Sequence, residues 1–244
     1  MSFKKISYYK FWIILSILAI TPQISAQEET DFQTWTDFTT FYHFNEKWVY
    51  NGDYGIRGLL SEQNWNQVYI HPAVIYHRRA KLRFRGGIRF IFTQESDESN
   101  TFEIRPWQGI RILWPDLNFM IIDHYFRIEE RLTWQTQTRG FDGNIRLRYR
   151  LEGKTANYTL RKINQTFYFL GSLEIFANVG EAVNETFVNR NRFVFGVGYL
   201  ISKKFFAELH YIRQGSRSGS EDGFRTSENI LRMRLKMNLN TPKS

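Results

Sequence analysis

Apolar and polar residues alternate with a period of two along most of the chain, and a helical period is nearly absent. The stretch Lys81 to Thr93 shows this most plainly. Leu82, Phe84, Gly86, Ile88, Phe90 and Phe92 fall on one face, and Arg83, Arg85, Gly87, Arg89, Ile91 and Thr93 on the other. The same split sets Ile145, Leu147, Tyr149 and Leu151 against Arg146, Arg148, Arg150 and Glu152. Near the end, Leu231, Met233, Leu235, Met237 and Leu239 oppose Arg232, Arg234, Lys236 and Asn238. About eleven such segments can be drawn, at roughly 32–44, 48–60, 65–77, 81–93, 102–113, 119–134, 144–152, 166–178, 191–201, 204–214 and 226–239. Most span 10–14 residues, whereas a soluble strand averages about 5–6. Strands of that length suit tilted crossings of a bilayer, which need about 9–11 residues. The pattern predicts an all-β fold, an antiparallel transmembrane β-barrel of about 10–12 strands with an arginine-rich interior.

A soluble sandwich would also alternate, but its polar face would carry mixed Lys, Glu, Ser and Thr. Here that face carries mainly arginine, with Glu, Asp, Tyr, Trp and Gln, and the chain has 22 arginines to 11 lysines. A planar guanidinium suits paired, confined interiors better than an ammonium does. Trp48, Trp65, Trp107, Trp114 and Trp134 fall within a few residues of segment ends, as interfacial girdles do. Closure would also remove the exposed edges that long apolar strands otherwise create. Short connections after Phe44, His77, Leu113 and Ile201 alternate with longer polar ones after Leu60, Thr93, Trp134, Val179 and Gln214. Bacterial barrels use even strand numbers, which points to twelve, or else ten. A twelfth strand would fall within Thr155 to Lys162.

The first residues carry a different signal. Lys4, Lys5 and Lys10 precede an apolar stretch from Phe11 to Ile20, followed by Pro22 and the small pair Ser25-Ala26. This order predicts a cleaved secretory signal over 1–26 and a barrel over 27–244. Cleavage lowers the formal charge from +9 to +6. With no cysteine in the chain, disulfides and thiolate metal or redox sites are excluded. The expected location is the outer membrane of a Gram-negative bacterium, with outer-membrane lipid as a partner. Nucleic acid is not an expected partner despite a pI near 9.7, because the basic residues are strung along the strands and not gathered on one exposed stripe. Arg78, Arg79, Lys203 and Lys204, in turns, suit anionic headgroups instead.

Several strings, taken in order, resemble a bacterial family of uncharacterised outer-membrane barrels, the domain of unknown function 2490. They are Gln33-Thr34-Trp35-Thr36, His124-Tyr125-Phe126-Arg127-Ile128-Glu129-Glu130-Arg131, Arg146-Leu147-Arg148-Tyr149-Arg150-Leu151, Glu174-Ile175-Phe176, Asn191-Arg192-Phe193 and Gly196-Val197-Gly198-Tyr199. The resemblance spans about Asp31 to Leu239. It implies the fold and the location, and no activity. The irregular Thr155 to Asn164 stretch departs from it. So does the tail Asn240-Thr241-Pro242-Lys243-Ser244, since many such barrels finish on an aromatic residue.

The candidate chemistry is an interior charge ladder. By parity, Asp123, Arg127, Glu129 and Arg131 face inward on one strand, and Arg146, Arg148, Arg150 and Glu152 on the next. Glu174, Arg192, Glu208 and His210 join them. Such a ladder either lines a passive pore that favours small anionic solutes or fills the lumen as a structural network of ion pairs. A non-conducting structural or adhesive barrel acting through its loops is therefore the alternative to the pore. A lipid-modifying enzyme is a third reading, less favoured: no histidine has a serine two residues after it, and His124 has only Ile122 and Phe126 as nearest same-face neighbours. No cofactor or metal is expected. His71 and His77 share a strand face about 20 Å apart, and the run Glu95, Asp97, Glu98 reads as a solvated loop. Gly196 and Gly198 share one face, which fits a crowded interior.

Overall fold

The computed structural model of the chain describes residues 31–60, 65–94, 100–115, 117–160, 165–179, 188–216 and 225–240. The expected signal over 1–26, the run Glu95, Asp97, Glu98, most of the Gly215 to Gly223 loop and the tail from Thr241 lie outside the described residues. The strands are β1 (Asp31–His43), β2 (Trp48–Leu59), β3 (Asn66–Arg79), β4 (Leu82–Gln94), β5 (Thr101–Leu113) and β6 (Met120–Gln135). They continue as β7 (Phe141–Thr155), β8 (Tyr158–Leu160), β9 (Gln165–Val179), β10 (Val188–Leu200), β11 (Phe205–Ser216) and β12 (Arg225–Asn238).

All but β8 form one closed wall. Each wall strand pairs antiparallel with the next, and β7 passes directly to β9. β12 then meets β1 in parallel, from Asp31 opposite Glu228 to Phe41 opposite Asn238. The eleven segments drawn from alternation each became a wall strand. The expected even number did not, and the reason is directional. A chain that alternates up and down an odd number of times returns to its first strand pointing the same way, so the seam must be parallel. The additional strand sought in Thr155 to Lys162 exists as β8, but it adds no wall strand: it continues β7 along the same edge of β9 after a one-residue shift in register.

Parallel pairing is slightly weaker per residue than antiparallel, and here the seam is extended beyond its ladder. Leu239 N–H donates to the Phe41 carbonyl at 2.8 Å. The Asn240 side chain accepts from His43 N–H at 2.7 Å and donates to the His43 carbonyl at 2.9 Å. One amide thereby continues the seam past the last strand residue.

The barrel has two unlike ends. Short connections follow β1, β3, β5 and β10, and with the β8 extension of β7 they form the turn end. The connections after β2, β4, β6, β9 and β11 form the loop end. Outward side chains are apolar and exposed, among them Phe38, Ile56, Val68, Ile70, Phe126, Phe195, Leu209 and Met233. Aromatic pairs mark both rims. Trp48 lies on Tyr76 (4.7 Å between centroids) and Phe167 on Tyr199 (5.1 Å) at the turn end. At the loop end, Trp134 contacts Phe102 and Phe141. Trp107 does not join the expected girdle. It sits mid-strand in β5 with the inward parity of Arg105 and Gly109, and it is buried.

Inward rings need room, and glycines on neighbouring strands supply it. Tyr69 lies across Gly55, Tyr125 across Gly109, His210 across Gly196 and Tyr168 across Gly198, each where a Cβ would collide with the ring. Pro72 and Pro106 sit inside strands, which is unusual because proline cannot donate to a ladder. Each coincides with a gap in one ladder: between Ile70 and Ala73 against β4, and between Ile104 and Trp107 against β6.

Candidate functional site

Every second residue of a wall strand projects into the lumen, and the charge is concentrated there. Asp123, Arg127, Glu129, Arg131, Arg146, Arg148, Arg150, Glu152, Glu174, Arg192 and Glu208 all take part in interior ion pairs, and His210 Nε2 lies 3.2 Å from Glu208. Glu129 is fully buried. Its oxygens meet Arg127 Nε at 2.9 Å and the Arg146 guanidinium, with Arg105 and Arg148 at 3.8 Å. Glu174 accepts from Arg148 at 2.6 Å and Arg192 at 3.3 Å, and Asp123 accepts both arms of Arg111. Glu103 holds Arg105 at 2.5 Å and Arg131 at 3.1 Å.

A second network lies around the seam, and of its two carboxylates the sequence singles out Glu208 but not Asp37. Asp37 accepts from Arg232, Arg234 and the Tyr69 hydroxyl, the last at 2.6 Å. Glu208 accepts from Tyr168 and Lys236, each at 2.5 Å. Interior rings also serve as beds for guanidiniums. Trp35 has Arg57 at 4.0 Å and Arg192 at 5.1 Å from its centroid, and Trp107 has Arg127 at 3.9 Å. The available signal was parity, since Trp35 is in phase with Asp37, and Tyr125 with Asp123 and Arg127.

These side chains do not fill the lumen evenly. A chamber of about 480 Å³ occupies its middle and turn-side portion, reaching His43, His77, Arg83, Lys154 and Asn238 near the turn-side strand ends. On the loop side Gln33, Ile91, Thr93, Glu103, Arg105, Glu129, Ile212, Gln214 and Ile230 are all buried. Trp35, Val194, Ile212 and Ile230 form an apolar cluster across β1, β10, β11 and β12. The interior is thus packed toward the loop end and hollow toward the turn end.

The chamber is strongly basic. Among the described residues, eleven arginines and two lysines line it, against four carboxylates: Asp53, Glu152, Glu174 and Glu208. Asp37, Asp123 and Glu129 reach lining arginines from behind, which still leaves a positive excess of six. Arg57, Arg83 and Arg85 have no carboxylate within 4 Å among the described residues, and the Lys154 ammonium rests 3.6 Å from the Tyr168 ring centroid. Uncompensated charge in a confined interior is costly, and the lining carries a positive excess.

His71 and His77 both line the chamber, and among the described residues no three of His, Asp and Glu gather as a metal-ligating group. His124 is outward on the turn-side rim, stacked between Trp114 and Tyr149. Its Nε2 accepts from the Trp114 indole, and its Nδ1 pairs with the Tyr149 hydroxyl at 2.8 Å. Both ring nitrogens are therefore engaged, and neither faces a serine.

No curated protein and no solved structure matches the chain. A family model described as protein of unknown function (DUF2490) matches residues 32–225, from the first wall strand to the start of the last. The chain, an eleven-strand closed barrel with a basic chamber, belongs to that family.

Proposed function

We propose that this barrel sits in the outer membrane of a Gram-negative bacterium and admits small anionic solutes to its lumen from the turn end. The apolar outer face and the aromatic rims support the membrane setting, with lipid as the surrounding partner. Short turns of bacterial barrels face the periplasm, which makes the chamber a periplasmic cup in this reading. The observation that carries the anion preference is the lining, thirteen cations against four carboxylates. Concentrated arginine attracts anions and repels cations.

Passage through the whole barrel would require the loop-side packing to yield. That packing favours a second reading, a non-conducting structural barrel whose ion pairs fix strand register. Conductance in a planar bilayer separates the two, with heat-shifted gel mobility reporting folding. The expected result is a quiet wild type and anion-preferring steps once Trp35→Ala and Ile212→Ala open the apolar cluster. Silence from both folded proteins leaves the structural barrel, and cation-preferring steps overturn the anion reading. The proposal contains no catalytic step. Lipid turnover lost on His124→Ala would contradict it.

A further inference from the structure

Within the chamber, unpartnered donors converge around Tyr125. Its hydroxyl is buried and has no hydrogen-bond partner among the described residues. The guanidiniums of Arg85 and Arg150 flank its ring, each 5.4 Å from the centroid, so they lie no more than about 11 Å apart. The Nε–H of each is likewise buried and unpartnered, while the Arg150 Nη1 lies 3.6 Å from Glu152 and 3.9 Å from Glu174. Arg85 donates to Asn51 at 2.6 Å and has no carboxylate within 4 Å among the described residues. Arg83 follows it toward the chamber mouth on the same face of β4, also without a carboxylate.

Buried donors are nearly always satisfied in folded proteins. Here the unsatisfied groups around the ring are N–H and O–H; their own atoms are covered by neighbours, but the side chains line the chamber, so a group rich in acceptor oxygens would complete them once the guanidiniums turn toward it. Guanidinium forks match oxyanions with two or more acceptor oxygens, a geometry that a spherical halide does not share. The ring packs across Gly109, where any side chain would collide with it. The chamber volume is within the range of small-ligand sites, about 300–1,000 Å³, so the oxyanion can be carried on a small organic body.

We propose that Arg83, Arg85, Arg150 and Tyr125 form a site for a phosphate-type oxyanion, reached from the turn end. The site rests on the anion-admitting lumen proposed above and narrows it to one ligand chemistry at one place. The source is either a soluble phosphate compound or a phosphorylated lipid headgroup.

The test is calorimetric titration of the refolded full chain in neutral detergent with pyrophosphate, with sodium chloride as the comparison. Saturable one-site binding of pyrophosphate is expected, undisturbed by equimolar chloride. Arg83→Gln and Tyr125→Phe should each weaken it at least fivefold, and Arg131→Gln, equal in charge change but on the loop side, should leave it within twofold. Arg83→Gln is the safest variant because it breaks no ion pair, and gel mobility confirms that each variant has folded. Phosphatidic acid doped into the micelles identifies the source: displacement of pyrophosphate supports the site as a headgroup site, and no displacement supports it as a site for soluble phosphates. Absence of saturable binding overturns the proposal. Equal weakening by all three variants overturns the site but leaves a generally anion-favouring lumen standing.

Discussion

Glu129 shows how much of this interior rests on single carboxylates. It is fully buried and shared among Arg105, Arg127, Arg146 and Arg148, so its removal would leave Arg127 and Arg146 without a carboxylate within 4 Å among the described residues, while Arg105 keeps Glu103 and Arg148 keeps Glu174. Breaking a buried pair from one side costs about 3–5 kcal/mol. Glu129→Gln is expected to fall near the lower figure because the amide keeps the shape and two hydrogen-bonding atoms. Urea unfolding of the refolded barrel, followed by tryptophan fluorescence, would measure it, and a loss of less than about 1 kcal/mol would mean the pairs are not mutually dependent. Residues of this kind were legible in the sequence because alternation fixes which face a side chain takes. Their partners were not. Asp37 meets Arg232 and Arg234 from nearly two hundred positions away, and no local pattern encodes that pairing. Trp107 departs from its expected place in the girdle for a related reason: its type suits a membrane rim, and only its position within β5 shows that it lies under Arg127.

Between strands, the fit of ring to glycine decides register. A side chain at Gly198 would occupy the space of the Tyr168 ring, and overpacking of that kind costs about 1–3 kcal/mol. Gly198→Val is expected to destabilise by that amount, with part of the loss recovered in the double variant Gly198→Val, Tyr168→Ala. A purely additive result in unfolding experiments would show that the two do not share the space. The seam makes a separate prediction. Asn240→Ala removes both side-chain bonds to His43, worth about 1 kcal/mol each at most. It should lower the temperature at which folded gel mobility is lost, whereas Asn45→Ala, in the β1–β2 turn, should not lower it as far. The strands themselves could be drawn from alternation to within about three residues. The way the barrel closes could not, because the general preference for even strand numbers points away from the eleven segments that the alternation marks.

For the molecule as a whole, the division into a packed half and a hollow half governs behaviour. If the positive excess in the chamber binds anions as proposed, the folded state binds them better than the unfolded chain, and preferential binding to the folded state stabilises it. Pyrophosphate and sulfate are therefore expected to raise the unfolding midpoint more than chloride at matched ionic strength. Equal shifts would reduce the effect to general screening. The lining charges were visible in the sequence, but the chamber was not. Whether a lumen is open depends on how Trp35, Ile212 and Ile230 meet from three strands, a volume question that residue types leave open.

The parallel seam also bears on how such a chain can be edited over time. Strands enter or leave an up-and-down wall most readily as hairpins, two at once, because each insertion must return to the rim it left. An odd wall edited in this way stays odd. Parity is thus passed down through insertions and deletions of whole hairpins, and only the gain or loss of a single strand at one terminus can change it. That rarer event would turn the seam antiparallel and bring both termini to one rim. Relatives that differ in length by whole hairpins are expected to keep the parallel seam, even where little of the present lining survives.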